Sequence, residues 1–129
     1  MADIVGNDFP SNTQRLPTFS KVSLECLDLN DNYSIIPVHI SGQEKQDWVV
    51  LHILQYTKVM DLDASEYDED DLYVNNVGFV HKLVFKGNVD LPPIFSIEEE
   101  EGLFVTPETR LVWDMNSVSG IEYHPIFHI

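Results

Sequence analysis

The stretch "DWVVLHILQYTKVMD", residues 47–61, constrains the fold more than any other part of the chain. Val49, Leu51, Ile53 and Gln55 fall on one side of an extended segment. Val50, His52, Leu54 and Tyr56 fall on the other. Both faces are largely apolar, which predicts a central strand covered on two sides. The flanking segments must then supply neighbours and cover. "NYSIIPVHIS" is rich in β-formers, and Pro37 directs it to an edge or a bulge. "NVGFVHKLVFKGN" reads as one further strand ending at a Gly-Asn turn. Phe79, His81, Leu83 and Phe85 alternate there with Val80, Lys82, Val84 and Lys86, so one face is wetter.

The remaining elements are shorter. In "TFSKVSLECLDLND", Phe19, Val22, Cys26 and Leu29 share a helical face, and Thr18 or Ser20 stands where a cap is expected. Alternation of Val22, Leu24 and Cys26 leaves a short strand as the competing reading. Ile94–Ile97 and "LFV" read as two short strands around a turn of Glu98, Glu99, Glu100, Glu101 and Gly102. Thr106, Pro107 and Glu108 mark a helix start, with a capping hydroxyl, Pro at the first position and an acid in the first turn. Leu111, Val112 and Met115 are its expected buried side. "SGIEYHPIFHI" returns as a final strand. Strand blocks with two helices predict an α+β domain, built on a mostly antiparallel sheet of about five or six strands. Residues 1–17, polar and broken by Pro10 and Pro17, are expected to form a loose arm, with the domain spanning 18–129.

Seven Lys and Arg stand against 22 Asp and Glu, a formal net charge of −15. Nucleic acid and anionic membranes are poor partners for such a chain, because binding them takes cations. A basic protein is the partner this charge attracts, although acidity also serves plain solubility. The single cysteine, Cys26, allows no internal disulfide, which agrees with a reducing compartment. "MADIVGNDFPSN" has no basic segment followed by an apolar run, so no secretory signal is expected. Apolar runs such as "WVVL" are too short to cross a bilayer. A soluble cytoplasmic protein is the expectation.

Seven of the eleven residues from Asp61 to Asp71 are acidic: Asp61, Asp63, Glu66, Asp68, Glu69, Asp70 and Asp71. As a calcium loop the run fails where coordination is strictest. Counting from Asp61 puts Glu66 at the glycine position and Leu72 at the bidentate position; counting from Asp63 puts Asp68 and Val74 there. Irregular calcium binding stays open, because hard cations accept many carboxylate geometries. Acid–base catalysis requires one carboxylate in an apolar pocket, and consecutive acids such as "DEDD" point to different sides into water. His39, His52, His81, His124 and His128 are scattered. Pro125 separates the last two, and His52 and His81 are expected in or beside the core. No zinc spacing, GxSxG, P-loop or dinucleotide fingerprint occurs, and Cys26 has only Lys21 as a basic neighbour. No catalytic or metal-binding residue and no cofactor is therefore assigned. The acidic run and the Glu tetrad together hold eleven of the 22 acids. As a surface, they offer carboxylates to Lys and Arg of a partner.

The segments "FSKVSLECL", "YSIIPVHI", "MDLDASEYD", "VHKLVFKG", "LPPIFSI", "LFVTPETR" and "VSGIEYHPI" follow one another from about Phe19 to Ile126. In this order and spacing the chain resembles the eleventh numbered polymorphic-toxin immunity family. The pieces that carry the resemblance are Asp61 to Tyr67, Pro93–Ile94–Phe95 and Ser119–Gly120–Ile121–Glu122. Asp68 to Asp71 are more acidic than the pattern requires, and the N-terminal part is shorter. The resemblance implies an α+β protein, encoded beside a secreted toxin, that protects the producing cell or its kin by binding that toxin. It implies no catalytic residues. Under it, Asp63 and Ser65 cap a turn or helix after the central strand, Phe95 lies in the core, and Ser119–Gly120 stops a helix before the last strand. Specificity falls to the departing segments, with Tyr67 and Tyr73 as aromatic anchors beside the acids. An immunity protein for a cytoplasmic toxin, such as a nuclease, is the leading expectation. An acidic nucleic-acid mimic that inhibits a defence nuclease, as phages encode, is the alternative. A small hydrolase or metal-dependent enzyme is the third class.

Overall fold

The computed structural model describes residues 3–5, 18–29, 32–42, 47–118 and 123–128. The chain is α+β, with mainly antiparallel strands and two helices. Its elements run β1 (Asp3–Val5), β2 (Thr18–Ser20), α1 (Lys21–Glu25), β3 (Tyr33–Val38), β4 (Trp48–Ile53), β5 (Glu66–Glu69) and β6 (Val77–Lys82). They continue with β7 (Val84–Phe85), β8 (Ile94–Phe95), β9 (Phe104–Val105), α2 (Pro107–Met115), β10 (Tyr123–Pro125) and β11 (Phe127–His128). The strands divide over four small sheets, ordered β10-β1-β9-β8, β2-β4-β3, β11-β7 and β5-β6. Among the described residues all strand pairings are antiparallel except β11 with β7. The single sheet of five or six strands expected from the sequence is thus split. β1 lies between β9 and β10, so residues 3–5 belong to a sheet rather than to a loose arm. The rest of 1–17 lies outside the described residues.

β4 is central, as its two apolar faces predict, and β3 with Pro37 is an edge strand, where a missing N–H is tolerated. Trp48, Val49, Val50 and Leu51 are all buried. The strand is shorter than the sequence suggests. Its partner β3 begins at Tyr33, opposite Ile53, and beyond a last bond from Leu54 N–H to the Asn32 carbonyl the chain turns away. Leu54 and Tyr56 are consequently exposed. The predicted strand over 77–86 breaks at Leu83 for a similar reason. β6 pairs with β5, whereas β7 pairs with β11 and bridges Met60, so the strand changes partner there.

Residues 18–29 open with a strand at Thr18–Ser20, followed by a single helical turn and a half; Val22 and Leu24 lie in that helix and Cys26 at its end, so the competing strand through these three residues does not form. Ser23 and Leu24 face inward, and Val22, placed inside by the sequence pattern, is exposed. Ser20 occupies the cap position without a side-chain cap bond.

α2 starts as the sequence indicates. Thr106 Oγ1 accepts from Thr109 N–H at 3.3 Å, Pro107 opens the helix and Glu108 lies in the first turn. Its buried face is different. Leu111 and Met115 point to solvent, and Thr109 and Trp113, one turn apart, point inward. Trp113 decides this. Its ring packs against Phe19 at 6.1 Å, and Nε1 donates to the Ser23 carbonyl at 2.7 Å. Thr109 Oγ1 adds a bond to the Pro93 carbonyl at 2.9 Å. The helix ends before the Ser119–Gly120 stop, which lies outside the described residues. Ser117 takes the left-handed φ of 57°, with Val118 N–H bonded to the Trp113 carbonyl and Ser117 N–H to the Asp114 carbonyl. That is a Schellman closure with serine in place of the usual glycine.

Two apolar clusters result. One joins Phe19, Leu24, Val49, Leu51, Ile94, Val105 and Trp113; the other joins Val59, Phe85, Phe95, Ile97, Phe104 and Ile126. Phe95 is in the core as expected, within a triad with Phe85 and Phe104 whose centroids are 5.2–5.8 Å apart. The Tyr33 hydroxyl ties the sheet of β4 to β8 through the backbone of Ile94, donating to its carbonyl and accepting from its N–H.

Candidate functional site

The acidic run begins on the second cluster. Val59 and Met60 are buried, and Lys86 N–H donates to the Val59 carbonyl at 2.8 Å. Asp61 N–H donates to the Val84 carbonyl at 2.8 Å, and its Oδ1 accepts from Asp63 and Ala64 N–H at 3.1 and 3.0 Å. Asp61 therefore caps this turn, a role the resemblance gave to Asp63. Ser65 is buried and makes a reciprocal pair with Val84, accepting from its N–H at 2.9 Å and donating to its carbonyl at 3.2 Å. Ser65 is a rivet between the run and β7 rather than a cap.

The middle of the run is a strand, not a loop. β5 pairs with β6 in the register Glu66 with Lys82, Tyr67 with Val80 and Glu69 with Val77. Asp and Glu are poor strand formers; here the backbone ladder to β6 overrides that preference. The turn joining the two strands is closed locally. Asp70 N–H donates to the Asn76 carbonyl, Tyr73 N–H to the Asp70 carbonyl and Asn76 N–H to the Tyr73 carbonyl. Asp70 Oδ1 accepts from Leu72 N–H at 3.0 Å. Asn75 and Asn76 take left-handed φ values of 53° and 58°, which asparagine tolerates better than most residues.

The acids thus sort by duty. Asp61 and Asp70 hold turns, and Asp68 bonds His81 Nε2 at 2.9 Å on the open face of the hairpin. Asp63, Glu66, Glu69 and Asp71 are exposed, and among the described residues their carboxylates hold no partner. Tyr67 is half-buried, whereas Tyr73 is 61% exposed.

The Glu tetrad approaches this hairpin at one point, where Asn75 Nδ2 donates to Glu99 Oε2 at 3.2 Å. Glu98 and Glu99 also border a cavity of about 320 Å³ with Asn75, Val74, Lys58 and Lys86. Two lysines sit at the junction, so the acidic groups do not merge into one anionic field. Glu100 and Glu101 are not part of that junction. Partial burial pushes the Glu100 carboxyl up, and the Glu101 charge adds to the rise against a backbone hydrogen bond. Gly102 takes φ of 128°, a region that excludes most side chains, and so ends the tetrad.

Sequence reasoning missed the apolar half of this surface. Leu72 is 90% exposed and Phe79 68%, and Phe79 meets the His81 ring edge-on at 4.9 Å. His81 and His52 are exposed, not in or beside the core. The alternating pattern of 79–86 carries no mark that its first half would lack a covering layer. Among the described residues no group of three or more His, Cys, Asp or Glu side chains is placed to hold a metal ion. His124 and His128 fall in separate strands, β10 and β11. Cys26 is half-buried; burial pushes its thiol up, and Sγ donates to the Ser23 carbonyl at 3.2 Å. Among the described residues no helix is long and apolar enough to cross a membrane. The chain was compared with protein-family models, with curated proteins and with solved structures, and none of them matches it.

Proposed function

We propose that the chain is an immunity protein, a non-catalytic cytoplasmic inhibitor that binds and neutralises a cognate secreted polymorphic toxin. The β5–β6 hairpin is its docking face. The observation that carries this reading is the company kept by the unpaired acids. Glu66, Glu69 and Asp71 lie on the same hairpin as exposed Leu72, Tyr73 and Phe79. Among the described residues none of these three carboxylates makes a hydrogen bond or ion pair, so the fold does not draw on their charge. Exposed aromatic and aliphatic side chains beside them add the apolar centre that interfaces require. A standard interface buries about 800 Å² on each partner. A toxin with a cationic groove, such as a nuclease, matches the charge.

The test is co-expression with the neighbouring reading frame. The reading expects a stable stoichiometric complex and rescue of growth from that gene product. A toxic neighbour that neither copurifies with the chain nor is neutralised by it would falsify the reading.

A further inference from the structure

The open edge of β5 points to how a partner is engaged. We propose that a Lys- or Arg-rich extended segment of the partner adds to β5 as a third strand of the β5–β6 sheet. The inference takes the kind of partner from the immunity reading and supplies the mode of contact.

Among the described residues β5 pairs with β6 alone, so no described strand takes up the N–H and C=O groups of its other edge. Three of its four residues are exposed. The pairing with β6 has two register shifts, and in both the additional residue lies on β6: Glu66 and Tyr67 face Lys82 and Val80, and Tyr67 and Glu69 face Val80 and Val77. The irregularity that usually spoils an edge for docking therefore lies on β6, the other edge of this two-stranded sheet, and β5 itself runs without a bulge. Charge then selects the occupant. Glu66, Asp68 and Glu69 leave Tyr67 as the one uncharged side chain of the strand. A second copy of β5 would set carboxylate against carboxylate, which cross-strand pairing disfavours. A cationic strand gains on every alternate side chain while its main chain completes the ladder.

The experiment titrates the full chain against a labelled hexapeptide alternating Arg and Thr, and against the same peptide with every backbone amide N-methylated. Methylation keeps the charge and removes the donors. The methylated peptide is expected to bind about tenfold more weakly or worse, as loss of two or more backbone hydrogen bonds implies. A Glu66→Lys, Glu69→Lys double variant with an unchanged melting curve is expected to lose the unmethylated peptide as well. Equal affinities for the two peptides overturn strand addition and leave the immunity reading standing on charge. No binding of either peptide at low salt overturns it too. Strand addition without capture of the neighbouring gene product sinks the immunity reading alone.

Discussion

Around Trp113 the chain is ordered by burial, and around Asp70 it is ordered by hydrogen bonds made over a few residues. Trp113, Phe19 and Leu51 are closed from solvent, and segments distant in sequence meet on them: Trp113 Nε1 reaches Ser23, and Tyr33 reaches Ile94. At the hairpin, Asp70, Tyr73 and Asn76 bond one another within seven residues, and the side chains between them are exposed. The first arrangement stabilises the fold and leaves no surface. The second fixes a shape and leaves its side chains free to meet something else.

The largest effect that sharpens this contrast is expected at the buried end. Trp113→Ala removes a fully buried indole and its hydrogen bond, and should cost about 3–5 kcal/mol in chemical denaturation. Ser65→Ala should cost about 1–3 kcal/mol by leaving the buried Val84 N–H unpaired, which tests whether the hairpin's root belongs to the core. Loss at Ser65 as small as at an exposed acid would dissolve the distinction between root and tip. The smallest effect is electrostatic. The folded-state pKa of Glu100 is raised, so its contribution to stability is present below the ordinary carboxylate range and is lost as pH rises through the raised value. Glu100→Gln should therefore raise stability at neutral pH, by under about 1 kcal/mol after solvent screening, and change little in acid. Urea melts at both pH values measure this.

The same contrast separates what was legible in the sequence from what was not. β4, the edge position of Pro37 and the Thr106–Pro107 helix start follow from patterns within a few residues, and each is where the sequence places it. The inward face of α2 does not. Leu111 and Met115 look like core, but a nine-residue helix turns toward whichever face makes the larger contact, and Trp113 and Thr109 win through partners in α1 and near β8. The acids of β5 read as a wet loop because Asp and Glu oppose strand formation; the ladder that overrides this is supplied by β6, which no local pattern announces. The cluster of acids was legible as a surface. Its division into Asp61 and Asp70, which hold turns, and Glu66, Glu69 and Asp71, which hold nothing, depends on geometry.

That division can be measured directly. Glu66→Gln, Glu69→Gln and Asp71→Asn together keep every hydrogen bond described in the hairpin and remove three charges. The account predicts an unchanged melting temperature, with an association rate for the copurified toxin that falls about tenfold or more at low salt and loses most of its salt dependence. An association rate and salt dependence equal to those of the parent chain would contradict the account.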